Sequence, residues 1–243
     1  MLLMTLLAFD PSSFDHSPWN TSLQAHVSPR GVDYAAIGPT GLDPYLKSLE
    51  SADVGAMGRD EKMAFWINAY NALTIDLVAE NPGIASIRDL DDGDPWSARR
   101  FPVAGKKVTL NTIEHEILRP MGDPRIHAAI NCASKGCPPL VATAFTAEGL
   151  DAQLDAACSN WVQVNAVRIQ DDSIALSAIF DWFGDDFVPA YGASLLDIPG
   201  VEGKAEAGLN FVAAYSDPEQ AKTLRAGGKT VTFADYDWSL NKR

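Results

Sequence analysis

Positive charge is scarce in this chain. Nineteen Lys and Arg stand against 32 Asp and Glu, a net charge of −13. A nucleic-acid binder is expected to carry a basic stripe, so nucleic acid is not an expected partner. Cysteine is scarcer still, with three among 243 residues, which excludes a disulfide-built scaffold. No run of about 18 apolar residues occurs, so no transmembrane span is expected. Internal repeats, low-complexity tracts and a linker between halves are all missing. So are a Gly-x-Ser-x-Gly elbow, a His-Glu-x-x-His zinc motif and a Cys-x-x-Cys redox motif. The stretch AGGKT at 226–230 resembles the end of a phosphate loop, but Thr223 stands where its leading glycine belongs. The densest acidic run, RDLDDGDPW at 88–96, lacks calcium-loop spacing and reads as a solvated loop.

What is present describes a folded domain. Hydrophobic residues make up 47% and charged residues 21%, with six Trp, six Tyr and ten Phe. That composition is ordinary for a soluble globular chain. Residues 1–10 (MLLMTLLAFD) are mostly apolar, lack a basic start, and read as the remnant of an export leader; a packed mature segment is the alternative. Helices are expected at 19–28, 39–51 and 146–162, the last capped by Thr146. The strongest helix runs over 58–83, with Asp60 as its cap and Asn-Pro-Gly as its stop. Its apolar residues occupy nearly every face, so it belongs at the centre. Hairpins are expected at 99–110, turning at Gly105, and at 167–177, turning at Asp171 and Asp172. A short helix at 111–120 takes Asn111 as its cap, with Glu114 at the capping-box position. Residues 125–131 read as a buried strand. Residues 179–191 read as a helix broken by glycine, and helices then lead to a final strand or extended tail. Without regular strand–helix alternation, the pattern is α+β: a helix-rich single domain over 11–243, with a small antiparallel or mixed sheet around a buried central helix.

Candidate chemistry concentrates in RIHAAINCASKGCPPL, 125–140. Small residues Ala133, Ser134 and Gly136 let backbone N–H groups converge, as in an oxyanion hole. Lys135 would lower the pKa of a nearby thiol. Three uses of Cys132 and Cys137 stay open here. Cys132 can be a nucleophile with His115 as its base. The two can form a disulfide, closing a six-residue loop worth about 2 kcal/mol on the chain-entropy model. They can bind metal with His115, His127 or Glu114, although four intervening residues are wide for zinc. On a strand, His127 and Asn131 would face away from Cys132, which makes His127 a core histidine. Asn68 and Asn71, three apart inside the apolar helix with Tyr70 beside them, need partners, and loop backbone is the expected one. Cys158 reads as a small buried hydrophobe.

Several segments in order resemble the family known as domain of unknown function 547. They include FDHSPWNTSLQAHV, AFWINAYNALTI, LNTIEHEILRP, DPRIHAAINCASKGCPPL, IFDWFGDDF and YDWSLN, spanning about Phe14 to Asn241. The resemblance implies one domain of bacterial, exported type. It implies recurrent positions at Trp66, Asn68, Tyr70, Asn71, Glu114, His115, Arg119, Cys132, Pro138, Trp182, Asp186, Phe187, Tyr236 and Trp238. It also implies that Cys137 is dispensable, an optional disulfide partner to an essential Cys132. No activity is implied.

The leading expectation is a thiol-dependent hydrolase or transferase acting on an acyl or amide bond. Cys132 is the nucleophile, His115 the base, and Asn71 or Glu114 orients the imidazole. The N–H groups of Ala133 and Ser134 hold the oxyanion. Asn68, Tyr70, Arg119, Asn131, Trp182 and Asp186 give support. No cofactor or metal is expected, and the substrate is small or peptide-like. The alternatives are a non-catalytic binding module braced by a Cys132–Cys137 disulfide and, behind it, a metal-dependent enzyme. An exported, periplasmic location is expected, or a cytoplasmic one if the first methionine is the true start.

Overall fold

A computed structural model of the chain describes residues 13–192 and 200–243; residues 1–10, read above as a leader remnant, lie outside them. Helix α1 (Ser17–His26) leads into a small hairpin, β1 (Val27–Ser28) and β2 (Gly31–Val32), followed by helices α2 (Tyr34–Ile37) and α3 (Asp43–Glu50). The long helix α4 (Arg59–Ala79) comes next, then α5 (Pro95–Ala98) and a hairpin of β3 (Phe101–Val103) and β4 (Lys106–Val108). A π-helical segment (Thr112–Leu118) and helix α6 (Ile126–Ala129) precede the cysteine loop, and α7 (Leu150–Val164) follows it. Strands β5 (Val167–Ile169) and β6 (Ser173–Leu176) then form a hairpin. Helices α8 (Ile179–Trp182), α9 (Gly184–Tyr191), α10 (Gly203–Ala214) and α11 (Pro218–Arg225) lead to β7 (Thr230–Phe233). Strand β6 is central in the one three-stranded sheet described, antiparallel to β5 and parallel to β7. The architecture is the helix-rich α+β one that the sequence predicts, with a mixed sheet.

Helix α4 organises the interior. Every residue from 63 to 79 is buried, so beyond its first turn the helix has no solvent face. Its polar residues are consumed internally, as buried amides must be. The carboxamide of Asn68 donates to the Phe145 carbonyl at 2.8 Å and accepts the Phe145 N–H at 3.0 Å. Asn71 donates to the Ala129 carbonyl and accepts the Asn131 N–H, both at 2.8 Å. Two side chains on one helix thus fix two distant loops.

Local expectations are corrected in four places. Residues 125–131 are not a strand: residues 126–129 form α6, and the chain becomes extended at Ile130. A short apolar run does not by itself separate strand from buried helix, and the Ala128–Ala129 pair favours helix. The N-cap of α4 is Gly58 in extended conformation, and Asp60 lies in the first turn, where its charge suits the helix dipole. Asn111 is already helical and caps nothing; Thr109 Oγ1 accepts the Thr112 N–H at 3.0 Å instead. Thr146 accepts the Gly149 N–H at 3.2 Å, one turn before α7 begins at Leu150.

After β7 the chain runs as an extended strap over 234–243. Gly136 N–H donates to the Asp237 carbonyl at 2.9 Å and Lys135 N–H to the Ser239 carbonyl at 2.8 Å; Leu240 N–H donates to Ala85. Asn241 and Arg243 complete the crossing by bonding β2. Gly31 is required there: a Cβ on it would lie 2.2 Å from the Asn241 carbonyl oxygen, and its φ is +118°.

One buried group near the end of α4 works against stability. Asp76 is 6% exposed, one of its carboxylate oxygens has no hydrogen-bond partner among the described residues, and burial pushes its pKa up to about 7, with Glu80 and Asp43 adding to the shift. A carboxyl with a raised folded pKa is harmless below the unfolded value near 3.8 and penalises folding as pH rises through 7. Each pKa unit is worth about 1.4 kcal/mol, so the penalty is at most about 4 kcal/mol. The stability of Asp76→Asn relative to wild type, measured by urea unfolding, is therefore expected to climb between pH 4 and pH 8. A difference that does not change with pH would refute this.

Candidate functional site

The π-helical segment sets the polar part of the site. Its i→i+5 bond, Arg119 N–H to the Glu114 carbonyl, widens the turn. Such segments are rare and often lie at functional sites. It turns Glu114 inward and leaves His115 exposed. Glu114 Oε2 accepts the Tyr70 hydroxyl at 3.1 Å. Burial, with Glu114 alongside, pushes the Tyr70 phenol well above its ordinary pKa, so Tyr70 remains a donor.

Beside it lies an ionic network centred on Asp186. Arg119 grips this carboxylate with Nε at 2.6 Å and Nη2 at 3.0 Å, and His127 Nε2 donates to Oδ2 at 2.8 Å. Burial alone would raise the pKa of Asp186, but the bonds from His127 and Arg119 outweigh it and hold the carboxyl well below the usual range. The third arm of Arg119, Nη1, lies 2.9 Å from His115 Nδ1. A guanidinium can only donate, so Nδ1 accepts and the ring proton sits on Nε2. Phe183 packs between the histidines, with its ring 4.6 Å from His127, 6.0 Å from His115, and 5.3 Å from the Arg119 guanidinium carbon.

The aromatic part comes from distant segments. Tyr236 and Trp238 on the strap meet Trp182 at the end of α8, with ring centroids 4.5 to 5.9 Å apart; Trp96 of α5 packs on Trp238 at 5.7 Å. Trp182 is 45% exposed, unusual for so large a ring. Together with Glu114, His115, His127 and both loop cysteines, these rings line a cleft of about 170 Å³.

Cys132 and Cys137 are joined as a disulfide. The Cys132 sulfur also lies 3.1 Å from Ser134 Oγ and 3.0 Å from the Tyr236 hydroxyl, and these hydroxyls bond each other at 2.9 Å. Burial pushes the Tyr236 phenol above its ordinary pKa, so it too stays a donor. The Cys137 sulfur accepts the Cys132 N–H at 3.0 Å. Gly136 lies flat under the Tyr236 ring, where a Cβ would be 2.9 Å from ring carbons.

The expected residues are thus gathered, but in different roles. Cys132, His115 and Glu114 share one cleft. Among the described residues, however, no imidazole hydrogen-bonds the Cys132 sulfur, and the His115 lone pair is taken by Arg119. Asn71 does not orient His115; it clamps the 129–131 backbone. The expected oxyanion hole is not built at Ala133, whose N–H bonds Asn131 Oδ1 at 2.9 Å. Asn131 in turn donates to the Pro138 carbonyl at 2.8 Å and accepts from Asn241 at 3.1 Å, which makes it a loop holder. His127 is buried and partnered as expected, but from a helix and at the edge of the cleft. Among the described residues no group of three or more His, Cys, Asp or Glu is arranged to hold a metal ion. Nor is any helix there long and apolar enough to cross a membrane. Trp96 and Phe183 were not singled out from sequence. Trp96 ends the acidic run that reads as a plain loop, and only its size marks it.

This is an α+β domain with an aromatic cleft set against a disulfide and a His–Asp–Arg network. Residues 54–162 match the model of the family described as "Protein of unknown function, DUF547". The match takes in Glu114, His115, Arg119, His127 and both loop cysteines, while Trp182, Asp186, Tyr236 and Trp238 lie beyond it. No curated protein and no solved structure matches the chain.

The Asp186 network makes a direct prediction. Asp186→Asn leaves the Arg119 fork and the His127 N–H without their anion and should lower stability by about 2–3 kcal/mol at pH 7. A carboxyl with a depressed folded pKa stabilises above its unfolded value and loses that effect as pH falls through the folded one. The gap between variant and wild type in urea unfolding should therefore persist from pH 7 to pH 5 and narrow below about pH 4.

Proposed function

We propose that the cleft binds a small molecule by stacking it on the Trp182–Tyr236–Trp238 wall and accepting a hydrogen bond from it at Glu114. The observation that carries this reading is the exposure of Trp182, a residue 45% open to solvent, stacked on Trp238 and tilted against Tyr236. Pockets that combine apolar rings with a few converging polar groups are the usual form of small-ligand sites. Glu114 supplies a buried acceptor and His115 an N–H donor. Together with the net charge of −13, the carboxylate favours a neutral or cationic ligand with a flat face and a donor group. The disulfide supports an exported location, since such bonds persist in oxidising compartments.

A second reading, thiol-dependent acyl or amide transfer, has one observation in its favour. Once reduced, Cys132 would have the Tyr236 hydroxyl as a donor to stabilise a thiolate, with Ser134 donating to that hydroxyl in turn. In it His115 would have to release Arg119 before serving as a base.

Benzylamine, a ring with an ammonium group, is the probe for the first reading. Its titration should shift the indole N–H resonances of Trp96, Trp182 and Trp238 saturably in nuclear magnetic resonance. Trp182→Ala and Glu114→Gln should each weaken that binding at least about fivefold, the equivalent of roughly 1 kcal/mol. Non-saturating shifts, or equal binding by both variants, would reject the cleft as a ligand site.

A further inference from the structure

We infer that the Cys132–Cys137 pair is a thiol-exchange site, in which a small thiol entering the cleft attacks the Cys132 sulfur. This deepens the reading of the cleft as a ligand site by naming the chemistry it can perform on a thiol.

Three observations carry it. The two sulfurs are unequally placed: Cys132 is half-buried, while Cys137 is only 6% exposed. Attack is therefore directed at Cys132. Each sulfur already faces a donor suited to its thiolate. Cys137 has the Cys132 N–H at 3.0 Å, and Cys132 has the Tyr236 hydroxyl at 3.0 Å, whose oxygen accepts the Ser134 proton. A disulfide sulfur is a weak acceptor, whereas a thiolate is a strong one, so these donors favour the reduced pair and speed its leaving groups. Finally, the loop does not depend on its cross-link. Asn165 Nδ2 donates to the carbonyls of Lys135 and Cys137, both at 2.9 Å, and the strap holds Lys135 and Gly136. Breaking the bond leaves the sulfurs side by side, ready to re-form it.

In the first step a thiolate RS⁻ bonds to Cys132 Sγ, the Cys132–Cys137 bond breaks, and Cys137 leaves as a thiolate bound by the Cys132 N–H. In the second, another RS⁻ attacks the ligand sulfur of the mixed disulfide. RSSR departs, and Cys132 leaves as a thiolate held by the Tyr236 hydroxyl. Two thiols are oxidised and the protein disulfide is reduced by two electrons; both steps run in reverse when RSSR is in excess.

Cysteamine, a small thiol with the positive charge that the cleft favours, is the probe. The oxidised full chain is equilibrated at pH 7 in buffers of increasing cysteamine-to-cystamine ratio. It is then quenched with acid, alkylated and mapped by mass spectrometry. Cys132 and Cys137 should become reduced together within that series. Cys137→Ser should accumulate cysteamine on Cys132, and Cys132→Ser at least about tenfold less on Cys137. Tyr236→Phe, which loses one hydrogen bond to the leaving sulfur, should slow exchange about fivefold. A pair that stays oxidised across the whole range would overturn the inference, and so would equal labelling of the two serine variants. The wild-type titration decides the point even if a variant fails to fold. Benzylamine binding to the oxidised chain reads the cleft separately, so loss of one result leaves the other interpretable.

Discussion

The carboxamide of Asn71 is the constraint on which the site depends. It is buried in a helix with no solvent face, where an unsatisfied amide would cost several kcal/mol. Its two atoms therefore dictate where the backbone at 129 and 131 must lie. Asn131, placed by that bond, uses its own amide to hold Pro138, Ala133 and Asn241. A single chain of amides thus runs from the core through both ends of the cysteine loop to the strap. The loop's shape is a consequence of the central helix rather than of the loop's own composition.

The same logic explains why the loop makes a poor oxyanion hole. Its small residues bring N–H groups together, as the sequence suggests, but nearly all of those groups already have acceptors inside the protein. What faces the cleft is sulfur, aromatic carbon and a few side-chain polar groups. Apart from Glu114, charge is held behind it in the closed Arg119–Asp186–His127 set, with His115 attached as a donor.

Much of the framework was legible in the sequence, because it rests on local signals. The all-round apolar character of α4 announced a central helix, and the glycine and aspartate turns announced both hairpins. The demand of Asn68 and Asn71 for backbone partners followed from burial alone. The misplaced elements were decided by tertiary contacts. Residues 125–131 carry an ambiguous apolar run, and helix α6 wins there. Candidate residues gathered where expected, yet their roles did not follow from residue type. His115 looks like a base until Arg119 is seen to occupy its lone pair. Nothing near Cys132 in sequence foretells that Tyr236, 104 residues away, will be its hydroxyl partner.

That separation orders events during synthesis. The cysteine loop leaves the ribosome about a hundred residues before the strap that covers it. At chain elongation rates of roughly 5–20 residues per second, several seconds pass in which both sulfurs exist without Tyr236 and without the backbone acceptors at Asp237 and Ser239. Any pairing made in that interval stays open to exchange once the strap is in place, because Cys132 remains half-buried rather than covered. The later-made strap is thus what gives the earlier-made loop its chemistry.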